Sequence, residues 1–504
     1  MKTDFCSKTK INSFVLQINK LDSRLLIFLL LCLNLLSFSV DSNESAYFPL
    51  AKQFIDPAWI PGSFSFTEWV GTRYLFQLIA GYALQFLSFE QLSFFGRIVN
   101  FALFAFPLGL IFRELKIKNI GILLILQLYA LDIGHQYLVG QEWIFQGFEA
   151  KTIAYIFIFY SFYYVLKERY LWAALFAALA SYFHILVGGW FFVLLFLYIF
   201  VKERNVKTLF LSVVTYLLVA LPFIAYLALH LDKSGSVINA VDIDYVSVFV
   251  RNAHHVAPLH SKYVGSVIPR VVVCVILLWT SIVYFNKNNN EFVRKLSLIG
   301  SISVVIVLVG LVITFIDVNG RLLKYYLFRI SAIGTFSYVL MFALLLRDKY
   351  GQKVNLRAIA FVAFTLLFLY GIGKNIKRQV DYCNDMQPVE ELTGFACQHT
   401  PADAVFLFLG KEETLFPSKA RREILVLYKC DPGGGEKIYE WYMRVLDRNR
   451  LIENINYIDT ITQKYKLDYL IDVKKIEDTR LREVYRNSQY YLYEIIKSDT
   501  LRSY

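Results

Sequence analysis

The stretch LWAALFAALASYFHILVGGWFFVLLFLYIF, residues 171–200, contains no Lys, Arg, Asp or Glu and is bounded by basic groups at both ends. At 1.5 Å per residue a single helix of this length would span about 45 Å, well beyond the bilayer's hydrocarbon core of about 30 Å. Because basic groups stay on the cytoplasmic side, the chain must return to the face from which it entered. The stretch therefore predicts two short crossings or a re-entrant pair, with His184 and Gly188–Gly189 at an outward-facing turn.

The composition of the whole chain agrees with this interpretation. Of its 504 residues 57% are hydrophobic and only 18% are charged, which is more apolar surface than a soluble domain buries. We therefore predict a polytopic α-helical membrane protein. The formal charge of +12 is spread in short clusters between apolar segments, which indicates membrane orientation and not nucleic-acid binding.

Apolar segments long enough to cross a bilayer predict about eleven spans. They lie near residues 24–40, 94–112, 119–133, 152–166, 171–186, 189–201, 208–230, 271–286, 296–316, 330–346 and 357–373. The segment Tyr74–Phe89 is apolar enough to be a twelfth, but counting it as a span would turn every later basic cluster outward. We expect it to lie along the outer interface as an amphipathic helix.

Loop charge then sets the orientation. The N-terminus and the basic connections between spans hold about 20 of the Lys and Arg residues in roughly 60 positions, against about 11 in roughly 130 positions of the opposite loops. This asymmetry predicts an integral protein of the cytoplasmic (inner) membrane with a cytoplasmic N-terminus over residues 1–23. A cleaved signal peptide is the alternative for the first apolar segment, but the long polar start and the lack of an A-x-A site favour a retained anchor.

After Gly373 the composition becomes charged, and short strand-like runs alternate with helical patterns. The runs lie at Ala404–Leu409, Ile424–Tyr428 and Tyr469–Val473, with a helix over Glu436–Leu446. We predict a transmembrane domain over 24–373, with an outer loop and surface helices at 41–93, and a small extracytoplasmic α/β domain over 374–504. Pairing among Cys383, Cys397 and Cys430 in that domain is left open, and no Cys/His spacing predicts a metal site.

The polar loop of residues 41–73 gathers carboxylates between nearly uncharged segments. Glu44 is our candidate for a general base, with Asp41 second and Asp56 third. The alternative for Asp41 and Glu44 is that they only solvate the end of a helix. The alternative for Asp56, which precedes Pro57, is that it is a turn residue.

Further polar groups collect at the outer ends of spans. In the segment GHQYLVGQEWIFQGFEAK, residues 134–151, Glu149 is a candidate to hold an acceptor or a metal and Lys151 to hold a phosphate, although residues two apart on a helix do not face each other. Anchoring at the interface is the alternative.

His184 is a candidate substrate residue or a packing residue at a tight turn. Arg321, Lys324 and Arg329 have the spacing to clamp a lipid phosphate, or they snorkel to lipid headgroups.

The chain resembles the GT-C superfamily of membrane glycosyltransferases. A basic start and one span lead to the acidic loop NESAYFPLA, a surface helix and the span start FFGRIVN. The stretches GFEAKTIAY, SYFHILVGGW and KYYLFRIS, and in the tail TPADAVFLF, KARREILVLYK and EWYMR, are similar to those of a group of bacterial membrane proteins of that type. The resemblance covers nearly the whole chain, but its motifs are diffuse.

The resemblance implies a sugar donor carried on a polyprenyl phosphate or pyrophosphate, and transfer to a glycan, lipid or protein acceptor outside the cytoplasm. An acidic residue of the first outer loop would activate the acceptor hydroxyl, while cations stabilise the departing phosphate. A polysaccharide polymerase or ligase and a non-enzymatic glycan-lipid flippase are the alternatives. Spans nearly free of charge argue against a transporter. The sugar, the acceptor and any need for a divalent metal are left open.

Overall fold

A computed structural model of the chain describes residues 13–40, 43–66, 71, 73–230, 235–350, 354–410, 413–430 and 434–497. Over these residues the chain is mostly helical and has one five-stranded sheet near its C-terminus. The helices of eight or more residues are, in chain order, α1 (Ser23–Leu35), α2 (Glu44–Ile55), α3 (Tyr74–Ala83), α4 (Phe89–Glu114), α5 (Asn119–Ala130), α6 (Ala150–Leu166), α7 (Tyr170–Phe183), α8 (Ile185–Lys202), α9 (Val206–His230), α10 (Val264–Lys287), α11 (Glu291–Ile316), α12 (Ser331–Tyr350), α13 (Val354–His399), α14 (Gly435–Glu453) and α15 (Ile458–Tyr465).

Apolar helices dominate the first four hundred residues. Among the described residues, seven helical segments are long and apolar enough to cross a membrane, namely those of α4 and α8 to α13. The other four predicted spans lie on the shorter apolar helices α1, α5, α6 and α7. The predicted fold class, a polytopic helical membrane protein with a small C-terminal α/β region, is thereby confirmed. The helix α3 has ten residues, or about 15 Å, which is half the thickness of the hydrocarbon core.

The chain divides into two compact units. A helical unit comprises Met1–Ser37, Phe94–Leu229 and Ser247–Lys377, and a sheet unit comprises Phe38–Ser93, His230–Val246 and Arg378–Tyr504. The sheet unit thus takes in the outer loop that follows α1 as well as the hydrophilic C-terminal region.

The long apolar stretch at 171–200 folds as the hairpin α7–α8. The two helices meet at His184, whose carbonyl oxygen accepts hydrogen bonds from the amides of Val187 and Gly188 at 3.0 and 3.1 Å. A Cβ atom on Gly188 would lie 2.2 Å from the Ser181 hydroxyl oxygen, so the close approach of the helices requires glycine there. The structure thus shows two short helices and not one long helix, and it leaves both predicted alternatives, two crossings or a re-entrant pair, in place.

The basic connections of the helical unit lie together at one end. Lys167, after α6, pairs with Glu114 at the end of α4 at 3.2 Å. Lys295, in α11, pairs with Glu168 at 2.8 Å, and Arg347 in α12 donates a hydrogen bond to a backbone carbonyl that follows α4. Segments that the charge pattern assigns to one membrane face therefore meet in space, while the compartment that each end faces stays a prediction.

The helix α13 differs from the prediction for its segment. A span was expected to end at Gly373, but the helix continues for 26 further residues to His399 and includes Pro388. The change to a polar composition after Gly373 marks a change of surroundings and does not break the helix. The helix ends only before Thr400-Pro401, where proline disfavours a helical conformation of the preceding residue.

The strands form a two-stranded ribbon and a mixed sheet. They are β1 (Val237–Ile238), β2 (Val241–Asp242), β3 (Val405–Phe408), β4 (Glu423–Ile424), β5 (Tyr469–Asp472), β6 (Leu481–Arg486) and β7 (Tyr491–Ile495). The five-stranded sheet has the order β4-β3-β5-β7-β6, in which β3 pairs in parallel with β4 and β5, and β7 pairs antiparallel with β5 and β6. The strand expected over Ile424–Tyr428 is wrong beyond Ile424, and β6 and β7 were not predicted.

The edge strand β4 is bound to the end of the outer loop within the sheet unit. The Glu423 carboxylate accepts hydrogen bonds from the amides of Phe64 and Ser65 at 2.9 and 3.4 Å. The Ser65 hydroxyl donates to the carbonyl of Ile424, and the Arg444 guanidinium lies 3.8 Å from the centre of the Phe64 ring. An edge strand is thus covered by another part of the same chain, which removes a template for aggregation.

Candidate functional site: a buried ion-pair cluster

The connection between α5 and α6 folds around one glutamine. Gln136 accepts hydrogen bonds on its side-chain oxygen from the amides of Ile144 and Phe145 at 2.8 and 2.9 Å. Gly140, within this loop, has a φ of +81°, a left-handed conformation that glycine adopts without strain. The loop is therefore a compact turn in which the side chain of Glu142 is buried.

Glu142 has a partner on each carboxylate oxygen. One oxygen is hydrogen-bonded to the Arg329 guanidinium, 187 positions away in the sequence. The other accepts from the Tyr155 hydroxyl at 3.1 Å and lies 3.8 Å from the Lys151 ammonium nitrogen. A buried carboxylate thus lies between two cations, which offset much of the cost of removing it from water.

Arg329 is held by the short connection between α11 and α12. It lies in the 3₁₀ turn Leu327–Ile330, which follows Tyr326 in the left-handed region at φ 56° and ψ 56°. The hydroxyl of Ser331, at the start of α12, donates to the carbonyl of Val139 at 2.7 Å. This bond ties the Arg329 turn to the loop that carries Glu142, so the two charges are held together by the backbone around them.

Lys151 meets a second acid. Its ammonium nitrogen lies 3.3 Å from a carboxylate oxygen of Glu149 and 3.8 Å from the centre of the Trp143 ring. Residues two apart would not face each other on a helix, but these two meet because only Lys151 is in the helix. Glu149 is the N-cap residue of α6 with an extended backbone, at φ −147° and ψ 168°, so the helical spacing does not apply to it.

A neutral histidine borders the cluster. The Nδ1 of His255 donates to the carbonyl of Gly140 at 2.8 Å. Burial, followed by the nearby His254, Arg329 and Lys151, holds the pKa of His255 well below its usual value. The imidazole is therefore uncharged at neutral pH.

The cluster defined by Glu142, Glu149, Lys151 and Arg329 is balanced in charge. Two carboxylates face two cations, and all four side chains are buried or nearly so. It lies where the α5–α6 and α11–α12 connections meet, which is not the end that carries the basic connections. Arg329 and Lys151 supply the positive charge and the hydrogen-bond donors that bind a phosphate.

The structure brings together only part of the predicted substrate-binding set. Glu149, Lys151 and Arg329 join the cluster, whereas His184 lies at the buried turn between α7 and α8. Arg321 and Lys324 lie in the turn after α11, where the Asp317 carboxylate accepts the backbone amide of Arg321 at 2.9 Å. That turn leads to the Arg329 loop, and the indole nitrogen of Trp190, in α8, donates to a carbonyl at Tyr325 between them.

Two of the predicted catalytic acids, Glu44 and Asp56, lie in the sheet unit. Glu44 is fully buried in the first turn of α2, and its carboxylate accepts from the Ser93 hydroxyl at 2.9 Å. Asp56 ends the same helix, and its carboxylate lies 3.6 Å from Lys52 one turn earlier, so it has a capping role. Asp41 lies outside the described residues.

Sequence reasoning missed three residues of the site. Glu142 was seen only as one polar group of the loop, and Tyr155 and His255 were not predicted. No periodicity marks them, because Glu142 contacts Arg329 187 positions away, His255 contacts Gly140 115 positions away, and Tyr155 contacts Glu142 across the α5–α6 connection. Within the described part of the chain, no three His, Cys, Asp or Glu side chains are grouped to hold a metal ion, and Cys383 and Cys397 are free thiols.

The fold and the cluster define an integral membrane protein of mostly helical structure with a desolvated ion-pair site at one end of its helical unit. No family model matches the sequence, and no curated protein matches it significantly. Among solved structures, the chain is similar to ArnT from Cupriavidus metallidurans bound to undecaprenyl phosphate, with a TM-score of 0.45 and 11% identity over 96% of this chain and 97% of that one. For the apo state of ArnT the TM-score is 0.38 and the identity 11%, over 93% and 96%. These likenesses assign no chemistry to this chain.

Proposed function

We propose that the protein is a membrane glycosyltransferase of the GT-C type, which transfers a sugar from a polyprenyl-phosphate-linked donor to an acceptor hydroxyl outside the cytoplasm. One observation supports this most directly. The buried carboxylate of Glu142 lies between Arg329 and Lys151, which is an environment suited to a phosphate group.

In the proposed reaction the cations act on the leaving group. The acceptor oxygen forms a bond to the anomeric carbon while the bond from that carbon to the phosphate oxygen breaks, and the electron pair stays on the phosphate. Negative charge therefore grows on the phosphate in the transition state. Arg329 and Lys151, held in a dry site, stabilise that charge more than water would.

A carboxylate is needed to accept the proton of the acceptor hydroxyl, and Glu44 stays our candidate from the sequence for this base. Within the sheet unit it is buried, and the hydrogen bond from Ser93 holds its carboxylate in one orientation. Asp56 is left out because it ends a helix and is partly exposed. Inversion at the anomeric carbon follows from a single displacement.

The test uses lipids from cells that lack the gene, in which the unused donor accumulates. The purified protein, reconstituted in liposomes with this lipid extract and candidate acceptors, should form a new glycosidic bond and release polyprenyl phosphate, both detected by mass spectrometry. Arg329→Met and Glu44→Gln should each lower the rate by about 100-fold or more. Transport of the lipid across the bilayer with no new bond would establish a flippase instead, and an active Glu44→Gln variant would remove Glu44 from the mechanism.

A further inference from the structure

Glu142 occupies the position between Arg329 and Lys151 that the proposed function gives to a phosphate. Its two oxygens face one cation each, as two oxygens of a phosphate would. The Tyr155 hydroxyl donates to the same carboxylate at 3.1 Å, which gives Glu142 an anchor that does not depend on the cations. Glu142 therefore stays in the site when Arg329 turns to a ligand.

The charges of the four side chains of the cluster add up to zero. Lys151 and Arg329 are cationic and Glu142 and Glu149 are acids, while the neighbouring His255 is neutral at physiological pH. With no net charge, the cluster offers close polar contacts to a phosphate but little additional attraction for a second negative charge.

Building on the proposed function, we propose that Glu142 determines which phosphate charge state the site retains, and that it promotes release of the polyprenyl monophosphate product. A sugar-linked donor is a phosphodiester with one negative charge. The product is a phosphomonoester whose second ionisation has a pKa of about 6, so it carries nearly two charges at neutral pH. A site with a net positive charge would bind the product more tightly than the donor and would be inhibited by it.

The charge on Glu142 prevents this. Without it the cluster would have one net positive charge, and its attraction for a ligand would grow in proportion to the ligand's charge. The logarithm of the affinity gained on removing Glu142 should therefore be about twice as large for the monoester as for the diester. About tenfold per unit of ligand charge is a conservative expectation, because Coulomb attraction at 4 Å and an effective dielectric constant of about 20 exceeds it.

The experiment measures binding of two lipids to the full-length protein in nanodiscs at pH 8, namely polyprenyl monophosphate and its singly charged methyl diester. Relative to the wild type, Glu142→Gln should bind the diester about tenfold and the monoester about hundredfold more tightly. Glu142→Asp, which keeps the charge, should behave like the wild type. The surface variant Asp132→Asn, which removes a half-exposed carboxylate paired with Lys374, should change neither affinity.

A second measurement needs no variant. For the wild type, affinity for the monoester should change less than threefold between pH 5 and pH 8, although the lipid gains its second charge there, since the charges of the cluster add up to zero. A tenfold or larger gain in the wild type, or equal gains for both lipids in Glu142→Gln, would overturn the role of Glu142 while leaving the proposed function intact. Failure of the wild type to bind either lipid would instead remove the proposed function.

Discussion

The two ends of the helical unit both carry ion pairs, but in different surroundings. At the basic end Lys295 is buried, with 6% of its side chain exposed, yet its partners Glu168 and Glu291 are 42% and 57% exposed. In the cluster at the other end, the side chain of Glu142 is 2% exposed, that of Lys151 7% and that of Arg329 12%. The first arrangement leaves one charge of each pair in water, whereas the second removes both.

This difference in exposure separates the ion pairs of the basic end, which we interpret as anchoring the chain at the membrane surface, from the candidate functional site. Two Lys side chains hydrogen-bond to Glu168, and they lower the pKa of its carboxyl to about 2, so it stays ionised at the membrane surface. Pairs of this kind are screened by solvent and contribute little to stability. A fully buried pair has a desolvation cost that its attraction only partly offsets, so its persistence suggests a role other than stability.

The largest difference in stability should appear when one ion pair is broken at each end of the helical unit. Glu142→Ala leaves Arg329 and Lys151 buried with a missing partner, and we expect it to lower the free energy of unfolding by about 3–5 kcal/mol. Glu168→Ala should cost about 1 kcal/mol or less, because Glu168 itself reaches water and the buried Lys295 keeps Glu291 as a partner. Thermal unfolding of both variants in detergent at equal ionic strength measures the difference. Equal losses would show that the two ends are alike.

A smaller effect is expected at a partly buried acid that backbone amides hold in place. Glu423 in the sheet unit is hydrogen-bonded to backbone amides, and burial raises the pKa of its carboxyl to about 7. Because this folded-state pKa lies above the ordinary value near 4.5, the stabilising contribution is fully present below about pH 4.5. It is lost as the pH rises through about 7.

Hydrogen exchange should report that loss. Between pH 6 and pH 8, once the intrinsic exchange rate is corrected for, protection of the amides of Phe64 and Ser65 should fall in the wild type. It should stay constant in Glu423→Gln, which is neutral throughout. Unchanged protection in the wild type across this range would show that Glu423 does not titrate there.

The smallest effect is expected at a surface pair of the helical unit. Asp132 and Lys374 are 2.8 Å apart and about half exposed. Lys374→Met should change stability by less than about 1 kcal/mol and leave transfer within twofold of the wild type. A loss of activity comparable to that of Arg329→Met would mean that burial does not mark the functional charges.

The sequence predicts the helices of this protein better than its site. Lipid favours long apolar helices, so hydropathy alone predicts the seven helical segments that are long and apolar enough to cross a membrane, and it also predicts the turn at His184. The end of α13 was misplaced because composition reports the surroundings of a helix and not its continuity. The loop charges predicted correctly that the basic connections would share an end.

The cluster could not be predicted from local patterns in the sequence. Glu142 and Arg329 come together through the Gln136 turn and the bond from Ser331 to Val139. Lys151 meets Glu149 only because the latter is an extended N-cap residue. Arg329 and Lys151 were predicted from their residue type at the ends of spans, while Glu142, which joins them, follows from tertiary contacts alone.

The central claim is that the buried cluster, and not the basic end, holds a lipid phosphate. A polyprenyl phosphate with a diazirine beside the phosphate, photo-crosslinked to the reconstituted protein and mapped by mass spectrometry, tests it most directly. We predict labelled peptides from the 134–155 and 321–331 connections, with labelling lost in Arg329→Met. Labelling confined to the basic connections around Lys167, Lys202 and Lys295 would contradict the account.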